Sequence, residues 1–515
     1  MWSMLDLASI WTLLITMPAA VLSIMKMEIA VFLPYNIPSL PSSIVLTGPA
    51  FDLAAENTNK MYHGQINISI TYLYNKELMT CDGIAAQSVQ RISEYFYRNT
   101  TAGTCYATVM SACVDQSGMA SIARGSPTGI ALAGTLQGYA TAVLDILADF
   151  DWFHASIILE ANTTDAPFYR DVGKLLYDSA REAPKFTVEL FSLDTTSRQT
   201  IKMALDLAKE RSRVFIFLCV GKTTVRLLNL AERFGLTNGE YVFVNLHSMQ
   251  LESYGTTAQF QKNPFDNNLI AFRSLLFITY RPADETSVVL RKLNHDIALR
   301  TGAPYNQSYQ GGLQPLDSFF IQTSYDLVGL FAKTLIETRE RDRVVLCSGQ
   351  RLARALTNRT FDLATGEMFI DAKRARNLDL NIFAFNTTTG NLQVTGTYEW
   401  AKSARLTWSK ELLMEWPTKD GRPPPDVPVC GFSGREGACA AQANFVRTAT
   451  ATGVVLAIVL VTFFVCLSRW IAAKSNDLGD NWWIVNRETL ITHDRRGPSN
   501  NSTGKSVSLK YKLCS

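Results

Sequence analysis

Residue types that carry chemistry are present in this 515-residue chain, but their spacing serves none of the common reactions. The five histidines (His63, His154, His247, His295 and His493) are scattered and make no metal-ligand pattern, and no HExxH stretch occurs. GPSNNSTGKS resembles a phosphate-binding loop, yet Gly497 stands seven residues before Gly504 where that loop needs five. No strand or helix pattern flanks it, so it reads as a flexible linker. Nucleophile elbow, glycine-rich kinase loop, HRD and DFG sequences are all missing. The expectation is a chain with no catalytic residue, no metal and no cofactor.

Nine cysteines are the other reactive groups. Cys430 and Cys439 flank the short loop GFSGREGA and read as a local disulfide in a segment with little core. Cys81 and Cys113 are the next pair to join, with Cys81 to Cys105 as the competitor. Cys219 lies in an apolar run and reads as a buried free thiol acting as a small hydrophobe. Cys466 falls in a long apolar run and Cys514 near the end, while Cys347 or Cys105 could link two chains.

The elements that must position these groups alternate. Strand patterns at 28–34, 68–74, 106–110, 153–160, 186–190, 213–220 and 241–246 are separated by helical patterns at 48–59, 83–97, 134–150, 166–181, 197–211 and 222–234. Such an order implies βαβ units and mostly parallel sheets. The strands at 68–74 and 106–110 suggest a first lobe and those from 153 to 246 a second. The strand at 275–280 begins a return, followed by helices at 284–300 and 316–338 and strands near 367–372, 380–386 and 392–400. Two lobes with a cleft between them bind ligands beyond the carboxyl ends of strands. That rule points to loops 111–116, 160–169 and 247–250, and within them to Ser111, Glu160, Phe168, Tyr169 and His247, the two aromatics as anchors.

An uncharged apolar run at 449–467 has the length a helix needs to cross a membrane. Residues 1–25 resemble a secretory signal peptide, although Asp6 stands where a basic residue is usual. The 48 residues after the run hold eight Lys or Arg against four acids, which places them in the cytosol. The large portion before it carries 41 basic and, Asp6 aside, 41 acidic residues, so its charge makes no case for nucleic acid. Sequons at Asn67, Asn99, Asn162, Asn306, Asn358 and Asn386 are candidate glycan sites on an exported surface. Five prolines between residues 416 and 430 suggest an extended, semi-rigid spacer above the membrane.

Several stretches together resemble the ligand-binding region of natriuretic-peptide receptors and related receptor guanylyl cyclases. PPPDVPVCGFSGREGAC (423–439) is the most specific, a proline-rich, aspartate-containing run before CGF and a second cysteine. FGLTNGEYVFVNL (234–246), SYDLVGLFAKTL (324–335) and LTNRTFDLATGEMFIDAKRARNLDLNIFAFN (356–386) are similar to further segments of that family. NWWIVNRETL (481–490) and GPSNNSTGKSVSL (497–509) look like the juxtamembrane start of a receptor cyclase. The resemblance implies an α/β fold: a two-lobed, type I periplasmic-binding-protein-like ectodomain with parallel sheets, followed by one transmembrane helix. In residues this reads as a signal peptide at 1–23, a ligand-binding domain at 24–415, a disulfide-containing stalk at 416–447, a membrane helix at 448–468 and a cytoplasmic tail at 469–515.

The same resemblance pairs Cys81 with Cys113 and Cys430 with Cys439. Two departures stand out. Ala112 replaces the family's glycine before the first-lobe cysteine, and no cysteine lies between Cys113 and Cys219 to form a second-lobe bridge. What it implies for function is a plasma-membrane type I receptor, N-terminus outside, that binds a peptide first and small molecules or ions behind. Its partners would be a second copy or a full-length receptor cyclase, besides the lipid bilayer. The 48 residues after the apolar run cannot fold kinase-like and cyclase modules, so cGMP signalling would come from the partner or from a longer form of the chain. The alternatives are a clearance-type or decoy receptor, a glutamate-type receptor ectodomain, a soluble binding protein, and a decayed relative without ligand.

Overall fold

The computed structural model describes residues 24–36, 42–78, 81–110, 135–161, 167–248, 256–260, 272–284, 286–300, 305, 319–341, 347–401, 405–410, 416–434, 436 and 439–477. These divide into two compact units, Met1–Glu436 and Gly437–Ser515. Strands form where β-branched and aromatic runs meet breaks, and helices where apolar residues recur at a period near 3.6.

The first sheet holds β1 (Met25–Phe32), β2 (Ile66–Tyr72) and β3 (Thr104–Met110), all parallel, in the order β2-β1-β3. Helix α1 (Ile44–Met61) links β1 to β2, and α2 (Cys81–Asn99) links β2 to β3. The second sheet has eight strands. β4 (His154–Glu160), β5 (Thr187–Leu193), β6 (Val214–Leu218), β7 (Val242–Leu246) and β8 (Leu275–Tyr280) are parallel, and β11 (Leu380–Asn386), β12 (Asn391–Tyr398) and β13 (Leu406–Trp408) extend it antiparallel. The order is β13-β12-β11-β8-β7-β6-β4-β5. α3 (Leu136–Asp149), α4 (Pro167–Glu182), α5 (Arg198–Lys209) and α6 (Gly221–Arg233) are its connections.

Every residue of β6, β7 and β8 is buried, as parallel strands covered on both faces require. Alternation sorts them. Val214, Ile216 and Leu218 enter the core that α3 and α4 cover, whereas Phe215 and Phe217 enter the core that α5 and α6 cover. β5, at the edge, is only partly covered: Val188 and Leu193 are buried and Leu190 is exposed.

Here the structure corrects one expectation. β8, β11 and β12 stay in the second sheet rather than returning to the first. The return is made by α7 (Val288–Leu299), α8 (Phe319–Arg341), α9 (Gly349–Leu356) and the hairpin β9 (Arg359–Leu363) and β10 (Gly366–Ile370). Leu327, Val328 and Leu335 of α8 join Ile29 and Val31 of β1 in the first sheet's core, together with Phe361 and Met368 of the hairpin. The last strands prefer the second sheet because β8 offers an unpaired edge there, and β11 takes it in register Leu380 to Tyr280.

Cysteine pairing brings a second correction. Cys105 on β3 and Cys347 just before α9 form an intrachain disulfide, with Cα atoms 5.1 Å apart and 242 residues between them in sequence. Neither links two chains, and Cys105 does not join Cys81. The reason is topological, since β3 and α9 pack on the same side of the molecule. Cys113 lies outside the described residues. Cys430 and Cys439 are both disulfide-bonded. Cys219 is a free, buried thiol whose pKa burial raises, beside Thr224 Oγ1 at 3.2 Å.

The proline-rich stretch from residue 416 is docked rather than extended away from the second sheet. Trp416 is buried against Trp152 and Phe150, with ring centroids 5.7 and 5.8 Å apart. Trp152 Nε1 donates to Pro424 O at 2.7 Å. Asp426 Oδ1 accepts from Phe153 N at 3.0 Å and His154 N at 2.8 Å, and its Oδ2 lies 2.7 Å from His154 Nδ1. Phe432 packs on His154 and under the Arg213 guanidinium. Gly239, at φ +94, leaves room for the strap: a Cβ there would meet Pro417 O at 2.5 Å.

The second unit holds α10 (Ala440–Asp477), of which Arg447–Lys474 is apolar enough and long enough to cross a membrane, with none of it buried.

Candidate functional site

In the second sheet the order turns between β4 and β6, and a crevice at the carboxyl ends of strands is expected there. Glu160 ends β4 at that point. Its Oε1 accepts from Thr195 Oγ1 at 2.6 Å and Thr223 Oγ1 at 2.9 Å, and Oε2 lies 3.4 Å from Val220 N. Val220, the residue just before α6, makes no side-chain cap of its own. The Glu160 carboxylate therefore serves as the anion at this helix N-terminus, the place where many folds put a ligand's phosphate or carboxylate.

The structure brings Phe168, Tyr169 and His247 together, but inside the core. Tyr169 OH and His247 Nδ1 are 3.1 Å apart, and Phe168 meets the edge of Tyr139 at 5.3 Å. All three are buried. Burial pushes the His247 pKa down to about 3, so the ring is neutral at physiological pH. Tyr139 OH, in turn, donates to Ser248 O at 2.8 Å. In this arrangement the aromatic pair packs the strand ends and offers no exposed face. Ser111 lies outside the described residues.

Of the sequons, Asn67 on β2 and Asn99 at the end of α2 are exposed, and so is Asn358, which takes φ 53 in the turn before β9. Asn386 is engaged: its amide donates to Gln393 Oε1 at 2.9 Å and its oxygen accepts from Thr388 N and Thr389 N. Asn162 and Asn306 lie outside the described residues.

The open space is elsewhere. A cleft of about 630 Å³ lies where the chain leaves the second sheet after β8 and re-enters it before β11. One wall is Tyr280 to Asp284 and the start of α7; another is the start of α8; a third is the β9–β10 turn. Arg281 at its mouth pairs with Asp379 at 2.6 Å and with Glu399. Asp379 Oδ1 also accepts from Trp400 N. Asn377 ties the re-entering segment to α3, accepting from Thr135 Oγ1 at 2.6 Å and donating to Asp371 at 2.9 Å.

Deeper in the cleft, Arg376 Nη1 donates to Thr323 Oγ1 at 2.9 Å, and its guanidinium stacks over Phe319 with 4.9 Å to the ring centroid. Asp326, one turn along α8, is buried and accepts a hydrogen bond from Thr365. Burial raises its pKa to about 6, opposed by that hydrogen bond and by the Arg376 charge. Arg376 and Asp326 escaped the sequence reading because each sits alone among residues of ordinary surface type, and only the crossovers bring them together. Among the described residues, no cluster of three His, Cys, Asp or Glu could hold a metal.

Comparisons with known proteins agree with this architecture. A family model described as "Receptor family ligand binding region" matches residues 105–388, from β3 of the first sheet through β11 of the second. The mouse "Atrial natriuretic peptide receptor 3" is 23% identical over 229 residues, which is 44% of this chain and 41% of that protein. The "Atrial natriuretic peptide receptor 2" of Anguilla japonica is 24% identical over 301 residues, 56% of this chain and 27% of its own. Its counterpart in Rattus norvegicus is 22% identical over 363 residues, covering 68% of this chain and 33% of that protein. The chain thus spans less than half the length of these relatives.

Proposed function

Because this chain belongs to the family of the receptor ligand binding region, we propose that it is a single-pass cell-surface receptor whose unit up to Glu436 lies outside the cell and captures an extracellular peptide. The observation that carries the reading is the family match over residues 105–388, which takes in strands of both sheets and the crossovers between them. The names of its relatives make a natriuretic peptide the first ligand to test. Helix α10 serves as the anchor, and the excess of Lys and Arg after residue 468 favours a cytosolic side for the tail. The chain pairs with a second copy or with a full-length receptor cyclase, and the cyclase makes the cGMP. Secretion through a cleaved segment 1–23, disulfides Cys81–Cys113 and Cys430–Cys439, and glycans on the exposed sequons complete this reading.

The test uses cells that display the full chain, alone or together with a full-length natriuretic peptide receptor cyclase. Labelled atrial natriuretic peptide is titrated while cGMP is followed. Saturable binding by the chain alone and a changed cGMP yield on co-expression are expected. No saturable binding removes the peptide reading, while binding with cGMP unchanged leaves capture without signalling.

A further inference from the structure

Arg376 lines the cleft, and among the described residues no carboxylate forms an ion pair with it. Among the described residues its hydrogen bond to Thr323 and its stacking on Phe319 are its polar contacts, although a guanidinium carries five donors. Arg376 is half-buried, and desolvation holds its pKa below the usual arginine value although the charges of Asp326 and Asp379 pull the other way. The nearest acids are engaged elsewhere, Asp379 with Arg281 and Asp326 with Thr365. A charge placed so is costly unless something pairs with it.

Facing Arg376 is the cleft of about 630 Å³, within the range of small-ligand pockets. Leu290, Phe319, Phe369 and Leu378 give it apolar walls. Glu367, exposed on β10, stands at the rim with no ion pair among the described residues, and Asp284 lies there too, bonded within its own turn to Thr286. A cation inside and acids at the lip match a molecule that carries a carboxylate at one end and an amine at the other.

We infer that this cleft binds a small amino-acid-derived ligand through its α-carboxylate, which pairs with Arg376, with the amino group toward Glu367 and an apolar side chain against Phe319. A free amino acid and the C-terminus of a short peptide share that chemistry. The site is built within one chain and does not rest on the peptide-receptor reading above.

The full chain in detergent micelles is titrated by calorimetry with L-phenylalanine and with Gly-Gly-Phe, each against its C-terminal amide. Binding of an acid and at least a tenfold weaker response to its amide are expected, and the tighter of the two acids identifies the source. R376Q weakens both acids at least tenfold. E367Q weakens L-phenylalanine but leaves N-acetyl-L-phenylalanine, which has no free amine, unchanged. No heat with either acid, equal binding of acid and amide, or an R376Q chain that binds like the unaltered one overturns the inference. If R376Q fails to fold, the acid and amide pair on the unaltered chain and the E367Q comparison decide it.

Discussion

Replacing Asp426 with alanine tests whether the proline-rich strap is held by hydrogen bonds or only by apolar contact. The carboxylate accepts from two backbone N–H groups, those of Phe153 and His154, and faces the His154 ring at 2.7 Å. Its side chain is 14% exposed and that of His154 32%, so water reaches the site only in part. Each buried donor left without an acceptor costs about 1–3 kcal/mol. With partial hydration of the orphaned groups, D426A should destabilise the docked strap by about 2–4 kcal/mol, or roughly thirtyfold or more in its opening equilibrium. Hydrogen exchange read by mass spectrometry on the full chain reports this directly. Peptides covering 150–160 and 416–434 should exchange faster in D426A, while those covering β7 and β8 stay protected. D426N keeps one acceptor oxygen and should show a smaller effect, by about 1 kcal/mol. Unchanged exchange in D426A over both segments would refute the argument and leave Trp416 against Trp152 as the contact that holds the strap.

Two other perturbations have signs set by the structure. C347S opens the bridge between β3 and the start of α9, which spans 242 residues of chain, and should lower stability by about 2–5 kcal/mol in urea unfolding of the solubilised chain; equal midpoints for the two chains would contradict it. Asp326 has its folded pKa raised to about 6 from 3.8, so its contribution favours the folded state below pH ~4 and is lost as pH rises through about 6. D326N removes that dependence, and its unfolding free energy should vary less between pH 4.5 and 7.5 than that of the unaltered chain, by up to about 3 kcal/mol. An identical pH profile for the two would show that Asp326 is ionised in the fold.

Local pattern in the sequence was enough to locate most of the strands and helices that build both sheets, because side-chain periodicity is a property of neighbouring residues. It also marked the apolar run that becomes α10. It did not reveal α9, β9 or β13, which are short and owe their form to the packing around them. Sheet membership was legible only where connections are local. Nothing near Leu380 announces that β11 pairs with β8 rather than returning to the first sheet, since that choice depends on which edge is open in three dimensions. The same reason governs the site. Phe168, Tyr169 and His247 were readable as residues beyond strand ends, but the tertiary structure turned them inward and set Glu160 on the start of α6. Cys105 found Cys347 instead of a nearer partner, the prolines before Cys430 docked through Asp426, and Arg376 came to face open space. Each of these joins residues tens to hundreds of positions apart, where pairing is decided by the order of strands and the path of crossovers rather than by any motif.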